Sequence, residues 1–106
     1  SEAAFKRAAR FDGFMFAGGG PEELAGPIAA INAARAEAGT MDRPFRIFAT
    51  AMGDFSTDTI RRLEDLGVTD MPVALRNLYA IEEDSQPLAD KLDDMARFAD
   101  TVIAHQ

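Results

Sequence analysis

The 106-residue chain has no cysteine, one histidine and one tyrosine, and it is poor in basic residues. Each scarcity removes a class of function. Without cysteine there is no disulfide, no thiolate nucleophile and no cysteine-ligated metal, a composition that fits a reducing compartment. The histidine, His105, lies one residue from the end, where it reads as a solvated tail residue, and no Ser/His/Asp set can be built around it. Eleven Lys and Arg against eighteen Asp and Glu give a net charge of −7 and an isoelectric point near 4.5. The cations are scattered, which argues against a nucleic-acid partner, because neutralising a phosphate backbone takes clustered Lys and Arg. No stretch reaches the roughly 18 apolar residues of a membrane span, and the first residues lack the basic-then-apolar layout of a secretory signal. The expectation is a cytoplasmic protein with no membrane partner.

What is present is 47% hydrophobic residues, enough for one small globular domain or a piece of a larger one, since domains usually run to about 100–150 residues. Its organising stretch is Phe11 to Glu23, FDGFMFAGGGPEE. An apolar run, Phe14 to Ala17, stops at Gly18-Gly19-Gly20, and Pro21-Glu22-Glu23 then opens a helix. Three glycines let backbone amides approach a ligand without Cβ obstruction, and the helix start adds unpaired N–H groups and the positive end of its dipole. That combination fits a phosphate cradle; it also fits a plain turn, with Glu22 and Glu23 complementing the dipole. The spacing matches neither GxGxxG nor GxxxxGK[ST].

The remaining elements follow in chain order. Ser1 to Arg10 has helical composition with Phe5 as its one large apolar residue, and reads as the tail of a helix whose beginning is missing. The strand from about Asp12 to Ala17 carries Phe14, Met15 and Phe16 in succession, which predicts burial on both faces. A helix from about Pro21 to Ala38 places Leu24, Ile28, Ile31 and Ala34 on one face and ends at Gly39; Gly26-Pro27 predicts a kink or a late start. A second strand, Phe45 to Met52, sets Phe45, Ile47, Ala49 and Ala51 against Phe48. Gly53-Asp54-Phe55 turns the chain, Ser56 or Thr57 caps a helix burying Ile60, Leu63 and Leu66, and Gly67 stops it. A third strand is expected over Val68 to Leu75, at an edge or with a bulge because Pro72 cannot donate to a ladder. After the loop Arg76 to Ser85, the helix from about Gln86 to His105 carries an apolar stripe, Leu88, Leu92, Met95, Phe98, Ala99, Val102 and Ile103, that reads as core.

Three consecutive βα units predict parallel strands with right-handed crossovers, hence an α/β architecture of a single domain, with ligands bound in the loops after the strands. Those loops contribute the candidate residues. Asp54 reads as a turn or capping residue. Arg76 fits a phosphate or carboxylate ligand, and fits a structural salt bridge equally well. Tyr79 suits either a ring-flanking role or a cover for the rim. Asp84, Asp93 and Asp94 read as capping and solvent-face charges, not as a metal site.

The runs AARFDGFMFAGGGPEEL, the Ala-rich helix closing at EAG, IRRLEDLGVTD and QPLADKLDDMARFADTVIAHQ together resemble the C-terminal part of the luciferase-like monooxygenase family of flavin- and deazaflavin-dependent oxidoreductases. The resemblance implies an eight-stranded TIM barrel of about 250 residues that binds FMN or coenzyme F420 (deazaflavin) at its C-terminal face, of which this chain would supply the last three βα units. It implies that Gly18, Gly19 and Gly20 clamp the cofactor phosphate, with Arg76 as a further cofactor-binding residue, and that catalytic residues lie in the absent part. Some deazaflavin-binding relatives carry a basic residue in the glycine loop; this chain carries none, so the choice between FMN and F420 stays open. A small-molecule substrate completes the expected ligands. The alternative from another class is a self-sufficient, non-catalytic α/β module that binds an anion or a protein partner. Three strands would also leave two open edges and a barrel face unfilled, so that Phe14, Phe16, Ile47 and Val73 are expected to lack dry surroundings, and the chain to self-associate or to need its missing N-terminal half-barrel.

Overall fold

Side-chain alternation along two short strands decides which side of this molecule is dry. In the computed structural model, which describes residues 1–50, 55–77 and 79–106, β1 (Gly13–Phe16) and β2 (Arg46–Ala49) pair in parallel, with Phe14 beside Ile47, Met15 beside Phe48 and Phe16 beside Ala49. Phe14, Phe16, Ile47 and Ala49 therefore share one face. Gly13 is required for the approach of the two strands, because a Cβ there would collide with the Arg46 carbonyl.

The dry face is covered by α2 (Pro21–Ala38) and α3 (Thr57–Asp65). Helical spacing puts Leu24, Ile28 and Ile31 of α2 with Leu63 of α3 onto Phe16, Ile47 and Ala49, and these seven residues form the buried core. Complete burial of a Leu or Ile side chain is worth about 1.5–3 kcal/mol. Gly39, at φ 71°, ends α2 as its spacing predicts; Ser56 caps α3 by accepting from Thr59 N at 3.2 Å, and Gly67, at φ 103°, follows its end. Pro27 neither delays nor divides α2, which runs from Pro21 without interruption. A short α1 (Glu2–Ala8) joins the same side through an edge-to-face contact between Phe5 and Phe14 with centroids 5.8 Å apart, and the Thr40 hydroxyl donates to Ala9 O at 2.9 Å.

Arg35, in the last turn of α2, is 8% exposed and has no carboxylate partner among the described residues. Its guanidinium lies 4.4 Å from the Phe45 ring centroid and donates to Asn32 Oδ1 and to the carbonyls of Met41 and Arg43, pinning the α2–β2 connection beneath the sheet. A planar fork that reaches three acceptors and stacks on a ring is a task for arginine and not for lysine.

Four expectations need correction. The third strand is reduced to a single parallel bridge between Phe48 and Asp70. The Thr69 hydroxyl takes the Ile47 N–H at 2.9 Å, a place that a backbone carbonyl would fill in a regular ladder, and Pro72 has no N–H to extend the pairing. The first strand is not buried on both faces: Met15 is 66% exposed, because both helices lie on the opposite side. For the same reason Phe16 and Ile47 are buried, and only Val73 of the four residues expected to lack dry surroundings is exposed, Phe14 being partly covered. Finally, the stripe of α4 (Leu88–Thr101) is not core: α4 has no buried residue, and Leu88 is 71% exposed. Phe98 of α4 meets Phe55 edge to face, centroids 5.2 Å apart. A 3-10 turn, Ile103–His105, follows.

The architecture is thus α/β, with parallel pairing in the order β1, β2, bridge and helices on one face. The radius of gyration is 16.3 Å, against about 13 Å for a compact domain of 100 residues. No helix among the described residues is long and apolar enough to cross a membrane. The expected continuation of the second strand through Ala51 and Met52, and the turn at Gly53 and Asp54, lie outside the described residues, as does Leu78 in the loop that follows Arg76.

Candidate functional site

Parallel pairing brings the chain out of β1 and β2 at the same edge of the sheet, and the glycine turn leaves β1 there. Gly19, at φ 121°, holds a conformation that side chains rarely adopt, and a Cβ on it would lie 3.3 Å from both Leu24 Cδ2 and Glu23 Oε2. Gly20 is the N-cap of α2, with its carbonyl accepting from Leu24 N at 3.0 Å.

The cradle has an internal occupant. The Glu23 carboxylate turns back and accepts from Gly20 N–H, so an anionic oxygen already sits at the amide expected to meet a phosphate. Glu22 pairs through one carboxylate oxygen with Arg62 of α3, which holds its carboxyl below the usual range and ties the two helix faces together, while its other oxygen would lie 3.7 Å from a Cβ on Gly20. The signal for Glu23 was legible as an acidic residue at the third helical position, one half of a capping box.

On the bare face of the sheet, Arg46 makes a two-pronged ion pair with Asp70, one arm through Nε at 2.9 Å, and its guanidinium lies 5.0 Å from the Phe48 centroid. Arg46, with the Thr69 hydroxyl 2.7 Å away, holds the Asp70 carboxyl below its ordinary value. The pair crosses from β2 to the bridged segment, doing with side chains what the short ladder does not.

Arg76 is not brought to the glycine turn by any polar contact. Its guanidinium meets Asp84 at 3.2 Å and donates to Glu82 O at 3.1 Å, and Asp84 is shared with Lys91. Lys91, a backbone amide and Arg76 together hold the Asp84 carboxyl below its usual range. Of the two roles open to Arg76 in the sequence, the salt bridge is the one occupied. Tyr79 is 73% exposed, and His105 is exposed as expected. Arg76 does border a groove of about 630 Å³ between residues 73–76 and α4, whose walls include Val73, Leu75, Met95, Phe98 and Ile103.

No family model matches the chain, and no solved structure matches it. It is similar to uncharacterized proteins of Mycobacterium bovis and Mycobacterium tuberculosis, with 43% identity over 104 residues. The match covers 98% of this chain and 36% of each relative, so the chain spans about a third of the length of the curated relatives it matches.

Proposed function

We propose that this chain is the C-terminal portion of a luciferase-like flavin- or F420-dependent oxidoreductase, built as the last three βα units of a TIM barrel, and that the turn Gly18 to Gly20 holds the cofactor phosphate. The observation that carries the reading is the one-sided sheet. Sequential parallel order with both crossover helices on the same face, and an uncovered face bearing Met15 and Phe48, is the arrangement of consecutive units in a barrel wall. The relatives support it by length: 104 residues at 36% of a chain corresponds to about 290 residues in all, enough for a barrel of about 250, and three units of eight make a similar share. The cofactor would supply the hydride chemistry; the residues here bind its phosphate and form part of its wall.

In this reading Glu23 stands in for the phosphate and leaves Gly20 N–H when the cofactor arrives. Phosphate titrated into the 106-residue chain is expected to shift the amides of Gly18, Gly19, Gly20 and Glu22 with a dissociation constant on the order of 10 mM, worth about 2–3 kcal/mol. Glu23→Gln removes the competing charge at constant size and should tighten binding several-fold. Gly19→Val should abolish it, although the conformation of Gly19 makes that change a strain on the turn itself. NMR separates this from a plain turn: no saturable shift in either the native chain or Glu23→Gln up to tens of millimolar would leave the glycines with a structural role alone.

A further inference from the structure

The apolar side of α4 is a long uncovered surface at helical spacing. Leu88, Leu92, Met95 and Ala99 recur at i, i+4, i+7 and i+11, a stripe of about 16 Å, and Ile103 extends it past the helix. Leu92 and Met95 are 55% and 58% exposed. The neighbouring groove has the volume of a small-molecule site, but an occupant of that size would leave Leu88 and Leu92 in water. The stripe calls for a polypeptide.

Two features of the chain select which polypeptide. A second copy would carry a further net charge of −7 and would bring an α4 with four aspartates against two cations to face its own kind, an arrangement that opposes association. The relatives, in contrast, carry about 185 residues outside the matched third. We infer that the α4 stripe is the seat of a helix from that remaining part of the polypeptide, so that the face exposed here is an internal seam of the longer protein. The inference rests on the relatives' length and on the exposed stripe, and it needs no cofactor, so it stands or falls apart from the flavin reading.

Hydrogen exchange compares the intact M. tuberculosis relative with this 106-residue chain, both without cofactor. The segment matching α4 is expected to exchange at least about tenfold more slowly in the relative, while α4 here exchanges fast. In a chimera with this chain in place of the relative's matched third, Leu92→Asp should return the helix to fast exchange. Since Leu92 is exposed in the isolated chain, the same change there should leave helix content unaltered. Fast exchange of the matched helix in the intact, monomeric relative would overturn the inference. So would protection that appears only in a dimer by light scattering, or protection produced in the isolated chain by a small apolar ligand while the relative stays unprotected.

Discussion

Ile31→Ala is expected to remove most of the stability of the isolated chain. Ile31 is fully buried between the sheet and α2's neighbours, in a core of seven residues. Truncating such a side chain costs about 2–5 kcal/mol, because the lost transfer energy is joined by the cost of the cavity. Whole domains are stable by only about 5–15 kcal/mol, and a chain whose last helix has no fully buried residue stands at the low end of that range. The other side of the sheet cannot compensate, since among the described residues no helix lies on Met15, which is 66% exposed. Urea unfolding followed by circular dichroism should show a pretransition already under way in water for the variant. A loss below about 1 kcal/mol would mean that the core is elsewhere.

The second large effect is a complete one: the isolated chain should consume neither reduced FMN nor reduced F420 above the buffer rate. A ring held by a phosphate clamp alone is not oriented, and misplacement by about 1 Å costs on the order of a hundredfold in rate. In the proposed reading, two strands and a bridge would provide part of one wall. Arg76 is committed to Asp84, and Gly20 N–H to Glu23. Stopped-flow absorbance at the cofactor band checks this, and turnover by the purified chain would require a full site among residues that here make only structural contacts.

Local signals were legible where they concern a single element. The periodicity of Leu24, Ile28 and Ile31, the stop at Gly39, the Ser56 cap and the order of strand, turn and helix all follow from side-chain spacing and backbone freedom, and the structure has them. The face assignments in the second strand also held for Ile47, Ala49 and Phe48. What could not be read was which apolar face would find a partner. Met15 sits among phenylalanines, and Leu88 to Ile103 form a regular stripe, but periodicity marks a surface as suited to burial without naming what buries it. The third strand was misjudged by local competition, as the Thr69 hydroxyl and Pro72 replace two ladder positions. At the candidate site the turn itself was legible, and an acid at the third helical position marks Glu23 as a candidate to fold back on it, but that its carboxylate takes the Gly20 N–H is seen only in the structure. Arg35 was missed because a buried arginine without a carboxylate is visible only once the Met41 and Arg43 carbonyls are gathered around it.

The most direct measurement is a fluorescence titration of FMN and of F420 into the intact M. tuberculosis relative and into the chimera that carries this chain in place of its matched third. One of the two cofactors should bind both polypeptides at a single site in the micromolar range, and Gly19→Val in the chimera should weaken that binding by at least about tenfold, or ~1.4 kcal/mol. A folded polypeptide that binds neither cofactor at about 100 μM, worth roughly 5.5 kcal/mol, would contradict the assignment of the glycine turn to a flavin-type phosphate.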